Sequence, residues 1–101
     1  MLIFNTTFHV QAEIQPDFIE FIKKTFIPAS VKSGLLCSPR LARIFGKNED
    51  EGFSYALEFT TKDIETLEQW NKNESKLIYE TLLNKFSDKI AGFSTVMQVM
   101  E

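Results

Sequence analysis

Residues 53–60 read Phe53-Ser54-Tyr55-Ala56-Leu57-Glu58-Phe59-Thr60, and this stretch decides the fold. Large apolar residues hold every odd position and small or polar residues every even one, which is the two-residue period of a strand with one buried face. On its N-terminal side Lys47-Asn48-Glu49-Asp50-Glu51-Gly52 has the composition of a hairpin loop, so an antiparallel strand is expected before it. Residues 35–47 supply that strand. They lack a helical period, and Pro39 confines their start to a sheet edge or a bulge.

On the C-terminal side Thr60 or Thr61 can cap a helix, with Asp63 near its positive end. Ile64, Leu67, Trp70, Leu77, Ile78, Leu82 and Phe86 then mark one helical face, giving a second helix over about 62–87, loosened at Asn71-Lys72-Asn73. After Gly92 a last strand covers residues 93–100. Toward the N-terminus, residues 2–11 alternate, with Phe4, Phe8 and Val10 on one side and Asn5, Thr7 and His9 on the other. Between the first two strands, Pro16 and Asp17 suit a helix start, and Phe18, Phe21 and Ile22 recur at helical spacing. This first helix is placed at 16–32. Pro28 should kink it or begin a short second segment, and Gly34 is its natural stop.

The order β-α-β-β-α-β is the ferredoxin-like arrangement, an α+β fold in which a four-stranded antiparallel sheet carries two helices on one face. At 101 residues the chain has room for a single domain spanning 1–101, because a second core would leave each half below the usual lower limit. Ten of its aromatic residues are phenylalanine. Phe18, Phe21 and Phe86 belong to helix faces and Phe4, Phe8, Phe53 and Phe59 to the sheet beneath them, so the helix-facing core absorbs most of them. The other face of the sheet must be solvated, covered by a partner, or curled around a ligand. If the phenylalanine face of the first strand meets the helices, that open face shows a polar floor of Asn5, Thr7, His9, Ser54 and Glu58.

A formal charge of −3 is the wrong sign for attraction to phosphate backbones, so no nucleic-acid partner is expected. No apolar run approaches the roughly 18 residues of a membrane span, so no membrane partner is expected either. Cys37 is the sole cysteine and suits a reducing compartment as a small core or strand residue; with no basic N-terminal region the chain reads as cytoplasmic and untagged. A single histidine cannot build a metal site without ligands converging on it, and none do, so neither metal nor cofactor is expected.

The candidate site residues are Asn5, Thr7, His9, Arg43, Glu58 and Trp70. His9 is the one imidazole available for acid-base work, and Glu58 would be its acid-base partner if the two approach. Arg40 and Arg43 lie three apart on one strand and point to opposite faces, so one can meet an anion. Trp70 lies on the apolar stripe of the second helix, where packing is its first role, as it is for Tyr55 and Tyr79.

Asn5-Thr6-Thr7-Phe8-His9-Val10, Ser38-Pro39-Arg40-Leu41-Ala42-Arg43-Ile44, Ser54-Tyr55-Ala56-Leu57-Glu58-Phe59 and Gly92-Phe93-Ser94-Thr95 together resemble a family of short bacterial proteins known only as a domain of unknown function. More broadly the chain is similar to the dimeric α+β barrel superfamily, in which two ferredoxin-like sheets pack face to face. Its members include cofactor-free monooxygenases, haem-degrading enzymes and small-molecule-binding regulators. The haem-degrading branch uses Asn on the first strand, Trp on the second helix and His about ten residues later. Asn5 and Trp70 match the first two, but the third position holds Glu80, and a carboxylate does not replace the imidazole that ligates haem iron.

Two functions of different class follow. The first is a homodimeric small-molecule-binding or interaction module. The second is a cofactor-independent monooxygenase or isomerase acting on a small aromatic or polyketide-like molecule, with His9 as base and Asn5 or Arg43 stabilising an enolate. The enzyme reading requires His9 to line a cavity.

Overall fold

A computed structural model describes residues 1–46 and 52–100. The expected hairpin loop at 47–51 lies outside the described residues. Four strands, β1 (Leu2–Val10), β2 (Cys37–Ile44), β3 (Phe53–Thr61) and β4 (Ile90–Gln98), form one antiparallel sheet in the order β2-β3-β1-β4. The ferredoxin-like topology is therefore present, with β1 and β3 central.

The first helix occupies residues 15–31 in three stretches: α-helical Gln15–Phe21, a π turn at Ile22–Phe26, and α-helical Ile27–Val31. Pro28 explains the middle one. It has no N–H to give to the carbonyl of Lys24, and its ring crowds that carbonyl, so the backbone widens over the turn that contains Lys24. Gly34 then ends the helix with φ +81° and donates its N–H to Val31 O at 3.0 Å. A short 3₁₀ turn, Ala12–Ile14, precedes the helix and was not foreseen.

The second helix likewise has α-helical Ile64–Trp70, a π turn at Asn71–Ser75, and α-helical Lys76–Phe86. Its cap corrects the expectation for Thr60 and Thr61, which both remain in β3. Asp63 caps instead, its Oδ1 accepting from Thr66 N at 2.8 Å and Thr66 Oγ1 at 2.6 Å. These bonds, from the side chain first and then the backbone, hold the Asp63 carboxyl below its ordinary pKa. The π turn falls at the expected loosening and re-phases the apolar stripe. Leu67 and Trp70 are buried before it, and Ile78, Leu82 and Phe86 after it, while Ile64 and Leu77 face solvent. No helix among the described residues is long and apolar enough to cross a membrane.

Both helices cover the face of the sheet that carries Phe4, Phe8, Tyr55, Leu57 and Phe59. The ring of Phe18 packs on Phe8, Tyr55 and Phe86 with centroids 5.4, 5.7 and 6.0 Å away, while Phe26 meets Tyr79 at 5.5 Å. Edge and tilted geometries of this kind add to the burial of each ring. Trp70 is fully buried. It stacks at 59° on Phe4, and its Nε1 donates to Ser30 O at 3.0 Å, so one side chain ties sheet and both helices together.

The edge strand β2 starts irregularly. Its register with β3 shifts between Cys37 and Arg40, and Ser38 adopts φ +51°, which is the bulge that Pro39 implied. Cys37 itself is exposed rather than in the core. Across the hairpin, Gly52 has φ +132°, and a Cβ there would lie 2.3 Å from Val10 O, so no other residue fits where β3 begins.

Candidate functional site

Strand parity settles which residues share the uncovered face. Phe4, Thr6, Phe8 and Val10 of β1 are buried on the helix side, so Ile3, Asn5, Thr7 and His9 point the other way. The cross-strand pairs extend this face into four rows. One row is Arg40, Glu58, Asn5 and Thr95, and the next is Ala42, Ala56, Thr7 and Phe93. Ile44, Ser54, His9 and Ala91 follow on one side, and Thr60, Ile3 and Met97 on the other. The polar floor expected for Asn5, Thr7, His9, Ser54 and Glu58 is thus present, with Ile44, Phe93 and Met97 exposed around it.

The floor is organised by hydrogen bonds along and across strands. Arg40 donates from Nη2 and Nε to the same oxygen, Glu58 Oε1, at 2.6 and 3.2 Å. Asn5 Nδ2 donates to Thr7 Oγ1 at 3.1 Å, and Asn5 is 9% exposed although neither helix covers it. His9 Nδ1 meets Ser54 Oγ at 3.1 Å. Glu58 sits opposite Asn5, four residues along the strand from Ser54 and its partner His9, and its carboxylate is taken by Arg40. The His9–Glu58 acid-base pair does not form.

Two of the six candidate residues lie elsewhere. Arg43 is opposite Tyr55, which places it on the helix side of β2, where its guanidinium lies 4.7 Å from the Phe53 ring centroid and 5.2 Å from that of Phe45. Arg40 is the arginine that meets the anion. Trp70 is also on the helix side, so the sheet separates it from Asn5. This removes the haem arrangement altogether: Asn5 and Trp70 open onto opposite faces, and His9 is exposed on the face away from Trp70. These residues do not fit a haem group.

The helix side holds a cluster that sequence reasoning did not single out. Thr6 Oγ1 contacts Tyr79 OH at 3.2 Å and Ser94 Oγ at 3.1 Å, at the foot of a cleft of about 210 Å³ between residues 79–83 and residues 90–94. Burial pushes the Tyr79 phenol pKa up, and the bonds to Thr6 and Ser94 pull it back in part, so the net displacement is upward. The phenol is therefore an O–H group at neutral pH. The signal available in sequence was only parity, Thr6 being the one polar residue among Phe4, Phe8 and Val10.

The sequence model of a family described as a domain of unknown function (DUF4286) matches residues 1–100. None of the curated proteins matches the chain. Among solved structures, an ethyl tert-butyl ether d (EthD) family protein from Bacillus halodurans C-125 is 22% identical, with TM-score 0.72, covering 99% of this chain and all of its own. A dimeric ferredoxin-like protein from an uncultured marine organism is 18% identical, with TM-score 0.65, covering 99% and 96%. A variant of MhuD with two manganese protoporphyrin IX molecules per active site is 13% identical, with TM-score 0.74, covering 100% and 96%. At these identities the similarity is one of fold.

Proposed function

The chain belongs to the domain-of-unknown-function family DUF4286, and from that premise we propose that it works as a homodimeric small-molecule-binding module whose two copies pair through the uncovered face of the sheet. The observation that carries this reading is the layout of that face. Ala56 keeps its middle low and Ala42 and Ala91 do the same on the edge strands, while Ile44, Phe93 and Met97 expose apolar surface around a polar row. Low centre and apolar flanks let a second sheet approach to the roughly 10 Å of packed sheets.

The face also suits a twofold axis. In an isologous contact each residue is met by its own counterpart's neighbours, and Arg40 and Glu58 present opposite charges on one row, so each copy offers what the other needs. The fold similarity to a dimeric ferredoxin-like protein supports the same assembly. Enclosed between two sheets, Asn5, Thr7, His9 and Glu58 become a short polar strip within apolar walls, the composition that orients a small ligand.

The enzyme reading is weaker on this geometry. His9 is exposed and bonded to Ser54, and the sheet separates it from the cleft beside Tyr79. It does not line that cleft.

Light scattering on the eluting peak at micromolar concentration tests the pairing. A mass of twice the 11.7 kDa chain is expected. A mass of one chain at that concentration overturns the proposal.

A further inference from the structure

The cleft beside Tyr79 lies within one chain, so what it binds can be argued independently of pairing. Its walls are apolar, with Phe8, Leu82, Leu83 and Ile90 among them, and none of its lining residues carries a charge. A charged ligand entering it would shed water with no opposite charge to replace it, a large penalty. The polar groups it does hold are the Thr6, Tyr79 and Ser94 hydroxyls, joined by two contacts. Each hydroxyl has one proton and two lone pairs, so two internal bonds use two of the three protons. The chain of hydroxyls can run in either direction, and it therefore keeps one proton to give and lone pairs to accept with.

Gly92 shapes the same space. It lies opposite Phe8 on the helix side of β4, and a Cβ there would come within 3.1 Å of Phe8 Cδ1. Glycine thus keeps the strand wall flat where it passes the edge of the Phe8 ring, which lines the cleft. A volume of about 210 Å³ is smaller than the roughly 300–1,000 Å³ of sites for drug-sized ligands, which limits the occupant to one or two rings.

We infer that this cleft binds a small, uncharged, largely apolar molecule bearing a single hydroxyl or carbonyl, held by the hydroxyls of Thr6, Tyr79 and Ser94 against the Phe8 ring. Aromatic alcohols and ketones have this chemistry. The strand β4 builds one wall of the cleft with residues 90–94 and turns Thr95 and Met97 to the opposite face.

The full chain, labelled with ¹⁵N, is titrated with p-cresol, toluene and 4-methylbenzoate, and amide shifts are followed. With p-cresol the shifts should concentrate at Leu82, Leu83, Gly92 and Ser94. Toluene, lacking the hydroxyl, should bind at the same place about five- to tenfold more weakly, the worth of one hydrogen bond, and 4-methylbenzoate should leave these amides unmoved. The double variant Tyr79→Phe/Ser94→Ala strips both ends of the hydroxyl chain, keeps the Tyr79 ring on Phe26, and should erase the advantage of p-cresol over toluene without changing the affinity for toluene. Single Ser94→Ala, at an exposed position of an edge strand, guards against misfolding of the double variant and should reduce the same advantage. The inference is overturned if 4-methylbenzoate binds as well as p-cresol, if p-cresol shifts none of these amides, or if both variants retain its full advantage.

Discussion

Trp70→Ala lowers the free energy of unfolding by about 3–5 kcal/mol, the usual cost of truncating a large buried aromatic. The loss has two parts. The indole fills the space between Phe4 and the two helices with no exposure to solvent, and its Nε1 satisfies the carbonyl of Ser30. Removing it leaves a cavity at the junction of three elements and takes the indole donor from the carbonyl of Ser30, whose own buried hydroxyl has no partner among the described residues. Trp70→Phe keeps most of the volume and loses the bond, so it should cost about 1–3 kcal/mol. Urea unfolding followed by far-ultraviolet circular dichroism reads both. A loss below about 0.5 kcal/mol for Trp70→Ala, the ordinary range for surface changes, would show that the indole is not the tie described.

Ala56→Asp has the second large effect, on assembly rather than stability. Ala56 is in the middle of the uncovered face, with Ala42 and Thr7 opposite it and Glu58 two residues along. In a single chain the new carboxylate reaches water. Between two sheets it would be buried beside Glu58 without a cation of its own, at a cost of about 3–5 kcal/mol. That weakens pairing by roughly 100- to 4,000-fold, and the scattering mass at micromolar concentration should fall to that of one chain while circular dichroism stays unchanged. Met97→Asp, on the same face but away from Glu58, should act in the same direction. Unchanged mass in both variants would exclude this face from the contact.

The fold was legible because period is a local property. The alternation through Tyr55, Leu57 and Phe59 fixed β3, and the polar run after Lys47 implied its antiparallel neighbour. Pro28 and Asn71-Lys72-Asn73 marked where the helices depart from regular geometry, since both weaken the ordinary helical bonding pattern. The same π turn then defeated the simple stripe: an added residue rotates everything after it, so Ile78 and not Leu77 faces the core.

The site was legible only by halves. Parity alone grouped Asn5, Thr7, His9, Ser54 and Glu58, but which arginine joins them depends on the register of β2 after its bulge at Ser38 and Pro39. That register puts Arg40 opposite Glu58 and sends Arg43 to the aromatic rings on the other side. Trp70 and Asn5 matched a pattern of residue types along the chain, yet a sheet one residue thick lies between them. The Thr6–Tyr79–Ser94 cluster joins three common residue types across sequence separations of 73 and 88, so no local pattern could reveal it.

Face-to-face pairing of the uncovered sheets is the central claim, and cross-saturation within a mixed sample tests it most directly. Deuterated, ¹⁵N-labelled chain is mixed with unlabelled chain, and the aliphatic protons of the unlabelled copies are irradiated. The amide signals losing intensity should be those of the sheet at Asn5, Thr7, Ala56, Glu58, Phe93 and Thr95. Attenuation confined to residues 15–31 or 64–86, or none at all, would contradict it.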